Sequence, residues 1–136
     1  MNIEYKLTNE YDSILESLLT EEEELSYISE SGVSVGIVAS SLKKKKGSMI
    51  IHADCRKVQD IYKLYCPYDF IITMYERNIL YFTDEQIRIL LFHELLHIGV
   101  NGSGDDIKMS VKYHDINDFE TIYKRYGLDW SKTPIA

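Results

Sequence analysis

Apolar residues recur at helical spacing in four stretches of the chain and gather into β-branched runs in three others. The first helical stretch runs from about Asn9 to Ile28, with Ile14, Leu15, Leu18, Leu19 and Leu25 roughly on one face. The acidic run Glu21 to Glu24 is a point where it can break, and Ser31-Gly32 punctuates the chain after it. Val33, Val35, Ile37 and Val38 then predict a strand. A Lys-Gly turn reverses the chain into a second strand, Ser48 to His52. Val58 to Tyr65 has helical spacing, and Asp69 to Tyr75 reads as a third, largely buried strand.

The sharpest local signal follows. Thr83-Asp84-Glu85-Gln86 is a capping box, and Asp84 and Glu85 suit the positive end of a helix dipole. The spacing predicts a helix through Ile87, Leu90, Leu91, Leu95 and Ile98, ending near Gly99. A polar loop, Asn101 to Asp106, comes next. The last helix is expected to start at Asp115 as N-cap, to carry Ile116, Phe119, Ile122, Tyr123 and Tyr126 on one side, and to stop at Gly127. The pattern predicts a single α+β domain over residues 1–136, with a small, mostly antiparallel sheet packed on the capped helix.

Composition narrows the function classes. A chain of 136 residues can bury one real core but not two. The net charge of −7 argues against non-specific binding to nucleic acid, whose affinity comes from basic patches. The basic run Lys43 to Lys46, before Gly47, reads as a solvated hairpin tip, and the acidic run as a solvated face. Cys55 and Cys66 form no disulfide framework and no zinc-knuckle spacing, and read as two buried thiols in a reducing cytosol. With no signal-peptide pattern at Met1 to Tyr5 and no membrane-length apolar run, the expected location is the cytoplasm, with no membrane partner.

The chemistry concentrates in His93-Glu94-Leu95-Leu96-His97, inside the capped helix. Four residues is just over one turn, so both imidazoles leave the same face and can share one tetrahedral zinc. Glu94, beside them, can take a proton from a metal-bound water and hand it to a leaving amine. In a chain with four histidines, a chance HExxH occurs at a likelihood on the order of one percent. A catalytic zinc takes a third protein ligand and leaves the fourth position to water. His114 is the favoured candidate, as the only histidine after the motif, with Glu120 and Asp115 as rivals. Either carboxylate could instead orient an imidazole. His52 reads as a satisfied core or surface histidine, and Tyr113 as a conceivable donor to an oxyanion.

These residues resemble the putative phage metallopeptidase family, small zincin-like proteins of bacteriophages and prophages, over roughly Val35 to Trp130. The carriers are Ile50-Ile51-His52-Ala53 with Arg56-Lys57-Val58, Tyr68-Asp69-Phe70-Ile71-Ile72, and Thr83-Asp84-Glu85-Gln86. They continue with the HExxH segment and Gly99, then His114-Asp115-Ile116 with Phe119, and Tyr126-Gly127-Leu128. A more distant likeness is to the SprT-like metalloproteases, which also add a histidine after HExxH. The group often has a cysteine within or just after the motif, where this chain has Leu96 and Ile98. The resemblance implies a zinc metallopeptidase with His93, His97 and His114 as ligands, Glu94 as general base, and a protein or peptide substrate. Two other readings compete: a zinc-stabilised binding protein that blocks a host factor, and a zinc hydrolase acting on a non-peptide bond.

Overall fold

The computed structural model describes residues 2–102, 107–113, 119–127 and 130, without the side chains of Glu120 and Tyr123. Strand β1 (Tyr5–Leu7) leads into helices α1 (Asp12–Glu21) and α2 (Ser26–Ser31), then strand β2 (Val35–Ser40). A short hairpin, β3 (Lys45–Lys46) and β4 (Met49–Ile50), precedes β5 (Ala53–Lys57) and β6 (Phe70–Tyr75). Helix α3 (Asp84–Leu96) runs directly into β7 (Ile98–Asn101), followed by β8 (Lys108–Val111) and helix α4 (Glu120–Tyr126). The architecture is α+β, as expected, with small and mostly antiparallel sheets.

The main sheet has the order β1-β2-β6-β5. Its centre is the parallel pair β2 and β6, in register from Val35 opposite Phe70 to Ser40 opposite Tyr75. Both outer strands run antiparallel to their neighbours. Val, Ile and Phe dominate the central strands because the core covers them; Phe70, Ile72 and Met74 are fully buried. Strand β5 is the sheet edge nearest the HExxH segment and lies against both α3 and β8.

Helix α3 is the axis of the fold. The Gln86 N–H donates to the Thr83 hydroxyl at 3.2 Å, and the Thr83 N–H donates to Gln86 Oε1 at 2.8 Å. Such a cap is worth about 1 kcal/mol. Every residue from Gln86 to Leu96 except Arg88 is buried, with Leu91, Phe92 and Leu95 showing no exposure. A helix surrounded this completely has no polar face to spare, so its histidines sit in the interior.

Several expectations are corrected. The first helix is split: α1 stops at Glu21, Glu22 is extended, and a 3₁₀ turn at Glu23–Leu25 precedes α2. Four carboxylates at the negative end of a helix oppose its dipole, which disfavours continuation. The acidic run is no free solvated face either. Glu21 and Glu22 pair with Arg88 of α3 at 3.1 and 3.6 Å, and Glu22 and Glu24 pair with Arg125 of α4 at 2.6 and 3.4 Å. The expected strand at Ser48 to His52 is only the two-residue β4, and the main-sheet strand is β5, just beyond it. Val58 to Tyr65 forms a 3₁₀ turn at Asp60–Leu64 with no buried residue. The expected N-cap Asp115 lies outside the described residues; α4 as described begins at Glu120, and Gly127 follows its end in a left-handed conformation, φ +78°.

The helix end is the correction that matters most for function. Helix α3 stops at Leu96, not near Gly99, because Ile98 to Asn101 pair with β8. A Cβ on Gly99 would lie 2.6 Å from Ser110 Oγ and 3.1 Å from the Ser110 carbonyl oxygen. The glycine therefore serves close strand approach and not a helix stop. No helix among the described residues is long and apolar enough to cross a membrane.

Candidate metal centre

Helix α3 places His93 and Glu94 in its last turn, and His97 follows as the C-terminal cap residue. The two imidazole rings meet edge to face, with centroids 5.1 Å apart. His93 Nε2 lies 3.9 Å from Glu94 Oε2, and His97 Nε2 lies 4.0 Å from Glu94 Oε1. One potential ligand atom from each of the three residues falls within 4.8 Å of the others. His93 and Glu94 are buried, at 9% and 4% exposure.

The tertiary structure selects a tautomer. His97 Nδ1 is 2.6 Å from the Lys112 carbonyl oxygen. A carbonyl only accepts, so Nδ1 carries a proton, and in the neutral ring Nε2 keeps its lone pair for an ion. This contact is made by the segment just past β8, which also donates the Lys112 N–H to the His97 carbonyl. Next to it, the Tyr27 hydroxyl donates to the Ile98 carbonyl at 2.6 Å. The helix end is therefore tied from both sides. Two imidazoles, one oriented by a backbone carbonyl, with a carboxylate between them form a donor set suited to zinc or a similar first-row ion.

Aromatic rings pack against the centre. Phe119 packs edge-on against His93 at 5.3 Å and His97 at 4.8 Å, and Trp130 lies 6.4 Å from His93. The histidines open into a cleft of about 740 Å³, which Trp130 also lines. Strand β5 forms its floor, the β3–β4 hairpin one wall, and Val111 to Tyr113 another.

The remaining candidates fall as follows. His114 and Asp115, and the side chain of Glu120, lie outside the described residues. Tyr113 is on the cleft rim and 88% exposed. His52 also reaches the cleft but stacks on Phe82 at 4.9 Å, and burial holds its pKa below the ordinary value. Both cysteines are free and only partly buried, a correction to the buried pair expected. Cys55 faces the cleft, yet burial, and then the carboxylates of Glu94 and Asp54, push its thiol pKa up, so it stays protonated.

Sequence reasoning missed the Lys112 carbonyl, the Trp130 wall and a half-buried polar cluster in the cleft lining. In that cluster Asp54 Oδ2 accepts from Lys44 Nζ at 2.8 Å and from the Tyr75 hydroxyl. The alternation Met109, Val111 after a polar loop is the one signal that points to β8.

A family model described as "Putative phage metallopeptidase" matches residues 3–134. The chain belongs to this family. Membership places it, at the level of that description, among metal-dependent peptide-bond hydrolases of phage origin, with a metal cofactor and a protein or peptide substrate. The His93, Glu94 and His97 group is the only cluster among the described residues that could hold that metal. No curated protein and no solved structure matches the chain significantly.

Proposed function

We propose that this member of the family is a single-domain, zincin-like peptidase that uses zinc, working in the cytoplasm of a phage-infected or prophage-bearing bacterium. The observation that carries the reading is the convergence of His93, Glu94 and His97 at the inner end of an open cleft. His93 and His97 would hold the ion through Nε2. When bound, it would supply Lewis-acid chemistry, lowering the pKa of a water and polarising a scissile carbonyl. Glu94, between the two rings, accepts the proton of the attacking water and returns it to the leaving amine. Phe119 packs against both histidines and Trp130 against His93, which holds the rings in orientation.

The cleft suits an extended chain. Ala53, Asp54 and Cys55 of edge strand β5 line it, and a peptide laid beside them gains main-chain hydrogen bonds by strand addition. That delivers a carbonyl to the end where the histidines lie. The test compares peptides cleaved in cells expressing wild-type or Glu94→Gln protein. Products confined to wild type support the reading; identical peptide pools overturn it in favour of a binding protein.

We assign the third ligand to His114. His114→Ala is expected to weaken zinc binding by about 10-fold or more, because losing a direct ligand costs at least as much as losing a group that orients one. Glu120→Ala should do less. Zinc titrations of the two variants against a competing chelator decide between them, and the opposite ranking would transfer the role to Glu120.

A further inference from the structure

We propose that the cleft selects acidic peptide segments, and that the β3–β4 hairpin is the element that reads them. The inference rests on the peptidase reading above and names its substrate class.

The hairpin is a built wall and not a loose tip. Gly47, at φ +64°, makes its turn, with Lys45 opposite Ile50 and Lys46 opposite Met49. Its root is clamped to the body of the protein. Asn78 Nδ2 donates to the Lys44 carbonyl at 3.0 Å and to the Ile51 carbonyl at 2.7 Å, while the Ile51 N–H donates to the Lys44 carbonyl at 3.1 Å. The Lys44 ammonium is held by Asp54 at 2.8 Å, which raises its pKa and keeps it charged. The outer part is bare: Met49 is 63% and Ile50 49% exposed.

Charge identifies the occupant. Among the described residues, four lysines line the cleft, Lys44, Lys45, Lys46 and Lys112, against two carboxylates, Asp54 and Glu94. The chain as a whole carries −7, so this wall inverts the sign of the molecule. Lys44 is committed to Asp54, and Lys112 lies over the Tyr27 ring at 5.0 Å. Lys45 and Lys46 make no ion pair among the described residues, and both are exposed and line the cleft. With Met49 and Ile50 on the facing strand, the matching ligand is an extended segment in which acidic and apolar side chains alternate. Two uncommitted lysines on an acidic protein are too few to track a phosphate backbone, which needs a longer basic stripe.

The test uses full-length Glu94→Gln protein and short fluorescent peptides in which leucine alternates with either glutamate or lysine. Anisotropy is expected to show the glutamate peptide binding roughly 10-fold more tightly, since one exposed pair contributes less than about fivefold and two act together. Rising salt should erode the preference. In Glu94→Gln protein, adding Lys45→Glu and Lys46→Glu should reverse it, and Lys45→Ala with Lys46→Ala should abolish it; both residues are exposed, and circular dichroism checks the fold. Equal affinities, a preference that survives the lysine substitutions, or tighter binding of a single-stranded oligonucleotide would overturn the proposal. Wild-type cleavage separates the two claims. Selective binding without any cleavage would refute the peptidase and keep the acidic cleft, whereas equal kcat/KM on both peptides would keep the peptidase and refute the selectivity.

Discussion

Glu94→Gln protein is expected to lose about 10²–10⁴-fold in peptide cleavage while keeping its fold and its zinc. The argument turns on what the substitution leaves alone. Glutamine has the size of glutamate, so a side chain that is 4% exposed is replaced without a cavity or a clash. The imidazoles, at 3.9 and 4.0 Å from the carboxylate oxygens, keep their places, and His97 keeps its bond to the Lys112 carbonyl. Only the capacity to accept a proton is gone. A merely structural Glu94 predicts the reverse pattern, with stability or zinc content lowered and cleavage per folded molecule unchanged. Steady-state kinetics on a cleaved peptide, with zinc analysis and thermal melting of the same samples, distinguishes the two.

Single His93→Ala and His97→Ala variants are each expected to bind zinc at least ~100-fold more weakly than wild type. Groups that merely orient a ligand are worth about 10–100-fold, so a ligand itself should reach the top of that range or beyond. His97 carries a second expectation. It also bonds the Lys112 carbonyl and so ties α3 to the segment after β8, a contact worth about 1 kcal/mol. His97→Ala should therefore melt lower than wild type even in the presence of a chelator. Equal zinc affinity in wild type and both variants would remove these histidines from the metal site.

What was legible in the sequence is what local chemistry decides. The Thr83 to Gln86 capping box fixes where α3 starts, and one helical turn places His93 and His97 together, so the histidine pair could be read without knowing the fold. Strands β2 and β6 were legible because both of their faces are buried and their residues are β-branched or aromatic. Strand β5 was not: Ala-Asp-Cys-Arg-Lys is made of small and charged residues, and the more apolar Ile50-Ile51 drew the prediction to Ser48–His52, immediately upstream. Short β1, with all three residues exposed, and the mostly exposed β8 carry almost no hydrophobic signal. Gly99 misled because a glycine after a helix resembles a stop, whereas its reason is Ser110 across the strand pair. The hydrogen bond that orients His97 joins residues fifteen apart through a backbone carbonyl, which no residue type announces. Likewise, the partners of the acidic run, Arg88 and Arg125, come from distant helices that only tertiary packing brings close.

The central claim, that His93 and His97 hold one zinc ion beside Glu94, is tested most directly by anomalous diffraction at the zinc edge on crystals of the purified, zinc-loaded protein. The account predicts a single peak per chain, about 2.0–2.1 Å from Nε2 of both histidines, with Glu94 close by but outside the bonding distance. A zinc peak elsewhere, with His93 and His97 free of metal, would contradict it.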